Sequence, residues 1–118
     1  MFIYNIKIKV GCDIAQISRF KEICEKPQQG LERIFLPHEL LNTKSIESLA
    51  GIFAAKESII KALEMKGGSW HMIEIIKQET GKPIAKLLDY NKKIGSQDIS
   101  ISHDGQYVCA ISCFLIYE

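Results

Sequence analysis

Apolar and polar residues alternate at the start of the chain. Ile6, Ile8 and Val10 are separated by Lys7 and Lys9, the period-two pattern of a half-buried strand. Asp13 follows, where this strand is expected to end and a helix to begin. Ile14, Ile17, Phe20, Ile23 and Cys24 then fall on one helical face. Pro27 and Gly30 break that helix. Residues 31–35 read as a short helix or turn. Pro37 suits the first turn of another short helix through Leu41, because an amide there has no intrahelical partner to lose. The longest periodic stretch begins near Ser45 to Ser48 and runs to about Lys66. It has Leu49, Phe53, Ile60 and Leu63 on one side and Gly67-Gly68 as its stop.

From Trp70 onward the period changes. Residues 73–77 and 84–88 read as strands, with Gly81-Lys82-Pro83 as the turn between them. Residues 90–95 form a short irregular segment. Residues 99–103 and 107–117 are strands joined by Asp104-Gly105, a two-residue hairpin signal. An N-terminal strand, then helices, then an antiparallel β-meander is an α+β arrangement rather than alternating α/β. At 118 residues the expectation is a single domain over 1–118. Its core is modest, so self-association is a natural supplement.

Composition narrows the function classes. Apolar residues make up 47% and charged residues 25%, the balance of an ordinary globular protein. No apolar run approaches the roughly 20 residues of a membrane span. The first residues lack the basic start and long apolar stretch of a signal peptide, so the expected location is cytoplasmic. The net charge of +1 provides no general field for nucleic acid. Cys12, Cys24, Cys109 and Cys113 form no CxxC pair and are expected to be reduced thiols in or near the core.

Three polar islands interrupt apolar settings: Gly11-Cys12-Asp13-Ile14, Lys56-Glu57 with Lys61, and Ser100-Ile101-Ser102-His103-Asp104-Gly105. Their separation along the chain suggests one site assembled by folding. Asp13 and Glu57 are hard oxygen donors, and two carboxylates from different elements suit Mg²⁺ held together with a phosphate-bearing substrate. Lys61, one turn after Glu57, is a point charge for a phosphate oxygen. His103, just before a tight turn, is placed to reach a pyrophosphate. Each residue also has a plain structural reading. Asp13 suits a helix cap, Glu57 and Lys61 an ion pair along one helix, and His103 a turn. Arg19 and Arg33, the only arginines, suit a solvated helix face. No Walker loop, GxGxxG, HExxH or Ser-His-Asp order is present.

The run from Gly11 to Phe20 resembles the G-x-D-I-x-x-I-x-R opening of the holo-acyl-carrier-protein synthases. Phe53-Ala54-Ala55-Lys56-Glu57-Ser58-Ile59-Ile60-Lys61-Ala62 resembles their F-A-x-K-E-x-x-x-K-A helix. Ile73-Glu74-Ile75, Gly81-Lys82-Pro83 and Ile99-Ser100-Ile101-Ser102-His103 match further blocks in the same order. The paired D and KExxxK motifs are specific, and the likeness spans nearly the whole chain. The chain departs from the pattern at Ile52, where many members carry arginine. It departs again over 64–68, where the family's segment is richer in glycine.

The resemblance implies a small, bacterial-type phosphopantetheinyl transferase of fatty acid biosynthesis. Such an enzyme uses Mg²⁺ and coenzyme A, modifies a serine of an acyl carrier protein and releases adenosine bisphosphate. It also implies a homotrimer with active sites between subunits. By the same resemblance Asp13 and Glu57 are metal ligands, and Glu57 and Lys61 are catalytic. Lys56, Lys61, Gly81, Lys82, Pro83 and His103 lie along coenzyme A, and Arg19, with Arg33, faces the acidic carrier protein. The alternative from another class is a non-catalytic coenzyme A or carrier-protein binding module of the same fold.

Overall fold

The computed structural model describes residues 5–26 and 30–118, and the expected break at Pro27 lies outside them. Strand β1 (Ile6–Gln16) leads into helix α1 (Ile17–Glu25), the short helices α2 (Leu31–Ile34) and α3 (Pro37–Asn42), and the long helix α4 (Ile46–Ala62). A single 3-10 turn, Trp70–Met72, precedes strands β2 (Ile73–Lys77), β3 (Pro83–Leu87), β4 (Lys93–Asp104) and β5 (Tyr107–Tyr117). The α+β class is as expected. The later strands do not form one continuous meander, however. They make two hairpins: β4 and β5 join β1 in a sheet of order β1-β5-β4, while β2 and β3 pair separately. The Gln97 side-chain amide links the two sheets. It accepts from the Ala85 N–H and donates to the Ala85 carbonyl, both at 2.8 Å.

The β1 pattern has an unexpected sense. Ile6, Ile8, Val10 and Ile14 point away from α4 and are 50–71% exposed, while Gly11 is buried beneath it. The reason is steric. A Cβ at Gly11 would lie 1.8 Å from the Ser58 carbonyl oxygen and 2.8 Å from the Ala62 nitrogen, so α4 can rest only on the glycine side. Ala54, Ala55, Ser58 and Ala62 on α4 and Ala110 and Ser112 on β5 are also small and buried. Small facing residues let a helix and a sheet approach closely. The core around this contact comprises Phe20, Ile34, Phe35, Ile59, Ile73, Ile99, Phe114 and Ile116, all nearly inaccessible.

Several boundaries move for identifiable reasons. β1 continues through Asp13 and Ile14 because both keep pairing with β5, as Asp13↔Ala110 and Ile14↔Cys109. Asp13 therefore does not cap α1, whose N-cap is Gln16. α4 ends before Lys66 and the two glycines. Glu64 adopts φ 55°, and the Met65 N–H reaches the Ile60 carbonyl at 2.9 Å while the Glu64 N–H turns to Lys61. This is a Schellman closure with glutamate at the left-handed position that glycine usually takes. The β4–β5 turn is Gly105-Gln106, one residue later than Asp104-Gly105, because Asp104 pairs with Tyr107. The segment 90–95 supplies the start of β4, and a register shift between Ile94 and Ser96 accommodates it. All four cysteines are free, and Cys12 and Cys109 are exposed rather than near the core.

Gly11→Ala is expected to destabilise the fold by about 3 kcal/mol, the upper range for overpacking, because the clash is with backbone rather than a movable side chain. A urea unfolding midpoint equal to wild type would contradict the close-approach account.

Candidate active site

The contact at Gly11 places the next inward residue of β1, Asp13, beside the α4 turn that carries Glu57 and Lys61. Lys61 Nζ donates to Asp13 Oδ1 at 2.9 Å and to the Cys12 carbonyl at 3.1 Å. The ion pair thus joins strand to helix. Among the described residues no pair forms between Glu57 and Lys61 along α4. Lys61 is held in its charged form chiefly by the Asp13 hydrogen bond. Glu57 is half-buried, and desolvation pushes its carboxyl above the usual range, with the Asp13 charge adding to the rise. Trp70 and Lys61 oppose that rise. A half-buried carboxylate whose ionisation is opposed by burial and by the Asp13 charge, with the nearby cation already committed to Asp13, leaves room for further positive charge. Asp13, Gln16, Arg19, Phe20, Phe53 and Glu57 line this cleft, about 490 Å³ in volume.

A second cleft, of about 680 Å³, is lined by Ser48, Gly51 and Ile52 of α4, by Ile101 and His103 of β4, and by Gly81 and Pro83. The chain therefore divides the expected site. Asp13, Glu57, Lys61 and Arg19 gather on one side of α4, while Gly81, Pro83 and His103 gather at the other cleft. Lys82, on the loop between β2 and β3, pairs with Asp98 at 2.7 Å, which holds the Asp98 carboxyl below its ordinary range. Arg33 lies with its guanidinium 5.4 Å from the centre of the Trp70 ring.

Lys56 corrects the expectation that it lines coenzyme A. Its side chain is fully buried. The ammonium uses three donors on three acceptors: Glu39 Oε1 at 2.6 Å, the Ile34 carbonyl at 2.8 Å and the Trp70 carbonyl at 3.2 Å. Glu39 is equally satisfied, since it also accepts from the Leu36 N–H and, through Oε2, from the Ile75 N–H, both at 2.8 Å. The pair ties α2, α3, the 3-10 turn and β2 to α4. Burial lowers the Lys56 pKa, and the Glu39 hydrogen bond opposes that drop. Glu39 went unnoticed in the sequence. The available signal was a carboxylate three residues after Leu36, where it can return to the helix's first free amide. Trp70, beside Glu57, carried no signal beyond being the chain's lone tryptophan.

Comparison with known proteins places the chain in a family. Residues 9–112 match the family model described as the 4'-phosphopantetheinyl transferase superfamily. The chain is 39% identical over 113 residues to a holo-[acyl-carrier-protein] synthase of a Nitratiruptor species, covering 90% of this chain and 97% of that one. Its fold is similar to the Helicobacter pylori holo-[acyl-carrier-protein] synthase solved in complex with coenzyme A. That match has a TM-score of 0.78 and 31% identity, covering 89% of this chain and 98% of the other. A Chronobacterium ammoniagenes ACPS–CoA complex is also similar, at TM-score 0.77 and 28% identity, with 95% and 98% covered. The chain belongs to the 4'-phosphopantetheinyl transferase superfamily.

Lys56→Met should cost about 3–5 kcal/mol, because it leaves Glu39 charged, buried and without its cation. The double variant Lys56→Met/Glu39→Leu should recover part of that loss. Denaturant unfolding checks both, and a neutral single variant would refute the structural role.

Proposed function

We propose that this chain transfers the phosphopantetheine arm of coenzyme A to a serine hydroxyl of an acyl carrier protein. The observation that carries the reading is the meeting of Asp13, Glu57 and Lys61, from two specific motifs, across β1 and α4. The serine oxygen attacks the coenzyme A phosphorus nearest the pantetheine. The bond from that phosphorus to the bridging oxygen breaks, and adenosine bisphosphate departs with the electron pair. Catalysis of this kind is mainly positioning and charge neutralisation.

Asp13 and Glu57 fit a hard divalent cation. Both are oxygen donors, and Glu57 is disfavoured as an anion by its burial and then by the Asp13 charge beside it. Mg²⁺, when bound to them, supplies Lewis-acid neutralisation of the pyrophosphate. Lys61 has an exposed side chain, tethered through Nζ to Asp13 and a carbonyl. It can turn from Asp13 to the departing phosphate and stabilise or protonate it.

The two clefts of one chain support a site completed by a second copy, in which the metal side of one subunit faces the Gly81, Pro83 and His103 side of its neighbour. The exposed apolar face of β1 and β5, with Ile6, Ile8, Val10, Ile14, Tyr107 and Ile111, supports a homotrimer, because contiguous apolar surface of this kind marks an interface. The reading carries with it a cytoplasmic location and one transferase domain over 1–118. No helix among the described residues is long and apolar enough to cross a membrane. Arg19, exposed on α1 and lining the metal-side cleft, is the arginine placed to meet an acidic carrier protein; Arg33 adds charge next to Trp70.

Mass spectrometry of an apo carrier protein incubated with the chain, coenzyme A and Mg²⁺ tests the reaction, and no mass gain equal to phosphopantetheine would refute it. Asp13→Ala and His103→Ala are each expected to lose most activity. Denatured together and refolded, they should recover up to about a quarter of the sites if each site draws one half from each of two subunits in a head-to-tail ring. No recovery would argue for sites within single chains.

Arg19→Glu should raise the carrier-protein KM about tenfold or more while leaving the coenzyme A KM near wild type, since charge at a docking rim acts on encounter and register. Added salt should narrow the difference. Equal losses toward both substrates would remove Arg19 from the docking surface.

A further inference from the structure

Trp70 is the only tryptophan in the chain, and it is held on three sides. Its carbonyl accepts from Lys56 Nζ at 3.2 Å. Its ring lies 6.1 Å from that of Phe53, tilted by 44°, and the Arg33 guanidinium covers it at 5.4 Å. Its indole nitrogen is nevertheless buried and meets no acceptor in hydrogen-bond geometry. A buried N–H without a partner is uncommon, because desolvation is then uncompensated.

The nearest chemistry is one helical turn away. Phe53 and Glu57 are four residues apart on α4 and so lie on one face, one above the other. A ring packed against Phe53 therefore stands beside the Glu57 side chain. The Trp70 indole and the Glu57 carboxylate lie within reach of each other.

We propose that Trp70 is a positioning residue for Glu57: its indole N–H donates to one carboxylate oxygen and directs the other toward the cleft that Asp13 shares. This rests on the reading of Glu57 as a metal ligand. Trp70 then grips both members of the Lys56-Glu57 pair, one through its carbonyl and the other through its side chain. The clamp by Phe53, Lys56 and Arg33 fixes the donor, so a small turn of the Glu57 carboxylate completes the bond. Donors of this outer kind commonly alter metal affinity or activity by 10–100-fold when removed.

Two measurements test this. In Trp70→Phe, which keeps an aromatic ring but removes the donor, the Mg²⁺ concentration for half-maximal transfer should rise about tenfold. The kcat at saturating Mg²⁺ should stay within roughly twofold, since the reacting groups are untouched. A ring that only fills space would leave the Mg²⁺ midpoint where it is. The second measurement needs no turnover. The chain has one indole ¹H–¹⁵N resonance, which should shift when Mg²⁺ is added to wild type and should be displaced in Glu57→Ala without any metal. A resonance identical in wild type and Glu57→Ala overturns the proposal, as does a folded Trp70→Phe with the wild-type Mg²⁺ midpoint. If Glu57→Ala still transfers normally, the metal reading of Glu57 falls. If Glu57→Ala is inactive but Trp70→Phe has an unchanged midpoint, only the positioning by Trp70 falls.

Discussion

How closely α4 can lie on β1 decides the geometry of everything near Asp13. The approach is set by backbone against backbone, with Gly11 under Ser58 and Ala62, and backbone contacts do not yield as side chains do. Because the helix is held at that distance, a short carboxylate such as Asp13 and a long cation such as Lys61 meet at 2.9 Å. A helix one methyl group further out would leave these groups to water. The same contact explains the outward turn of Ile6, Ile8 and Val10, since β1 has only one side that admits α4.

A second constraint acts on the opposite side of the helix. The Lys56–Glu39 pair sits in the core with every hydrogen-bonding group engaged. Burying such a pair is weak evidence for stability in itself. Its contacts reach α2, α3, the 3-10 turn and β2, so it fixes where those pieces stand relative to α4. Glu57 follows Lys56 directly. The residue that anchors the core and the residue proposed to hold metal are thus neighbours, and the position of one limits the freedom of the other.

Much of this was legible in the sequence because it is local. The spacing of Glu57 and Lys61, proline at the first turn of α3, and the extents of β2 and β5 all depend on near neighbours. What was misread depends on distant ones. Isoleucines at alternate positions announce a strand but not which side meets a helix; that depends on Gly11 and on Ser58, far along the chain. Glu64 ends α4 in a conformation that glycine usually takes, so Gly67-Gly68 drew the expected stop too late. Lys56 looked like a ligand-facing motif residue because nothing local reveals that Glu39 waits for it in the core. The division of the motif set between two clefts is a property of the folded surface and has no periodic signature.

The Gln97 amide, bonded to both backbone groups of Ala85, acts as a guard on an open edge. β3 pairs on one side with β2 only, and the other side of a short strand is where a stray chain can add on. Occupying the donor and acceptor of Ala85 with a side chain removes part of that template without adding another strand. Edge-on stacking is thereby discouraged at β3. The broad apolar face of β1 and β5 is of another kind: it presents side chains rather than free backbone groups, and a neighbour would meet it by packing and not by strand addition.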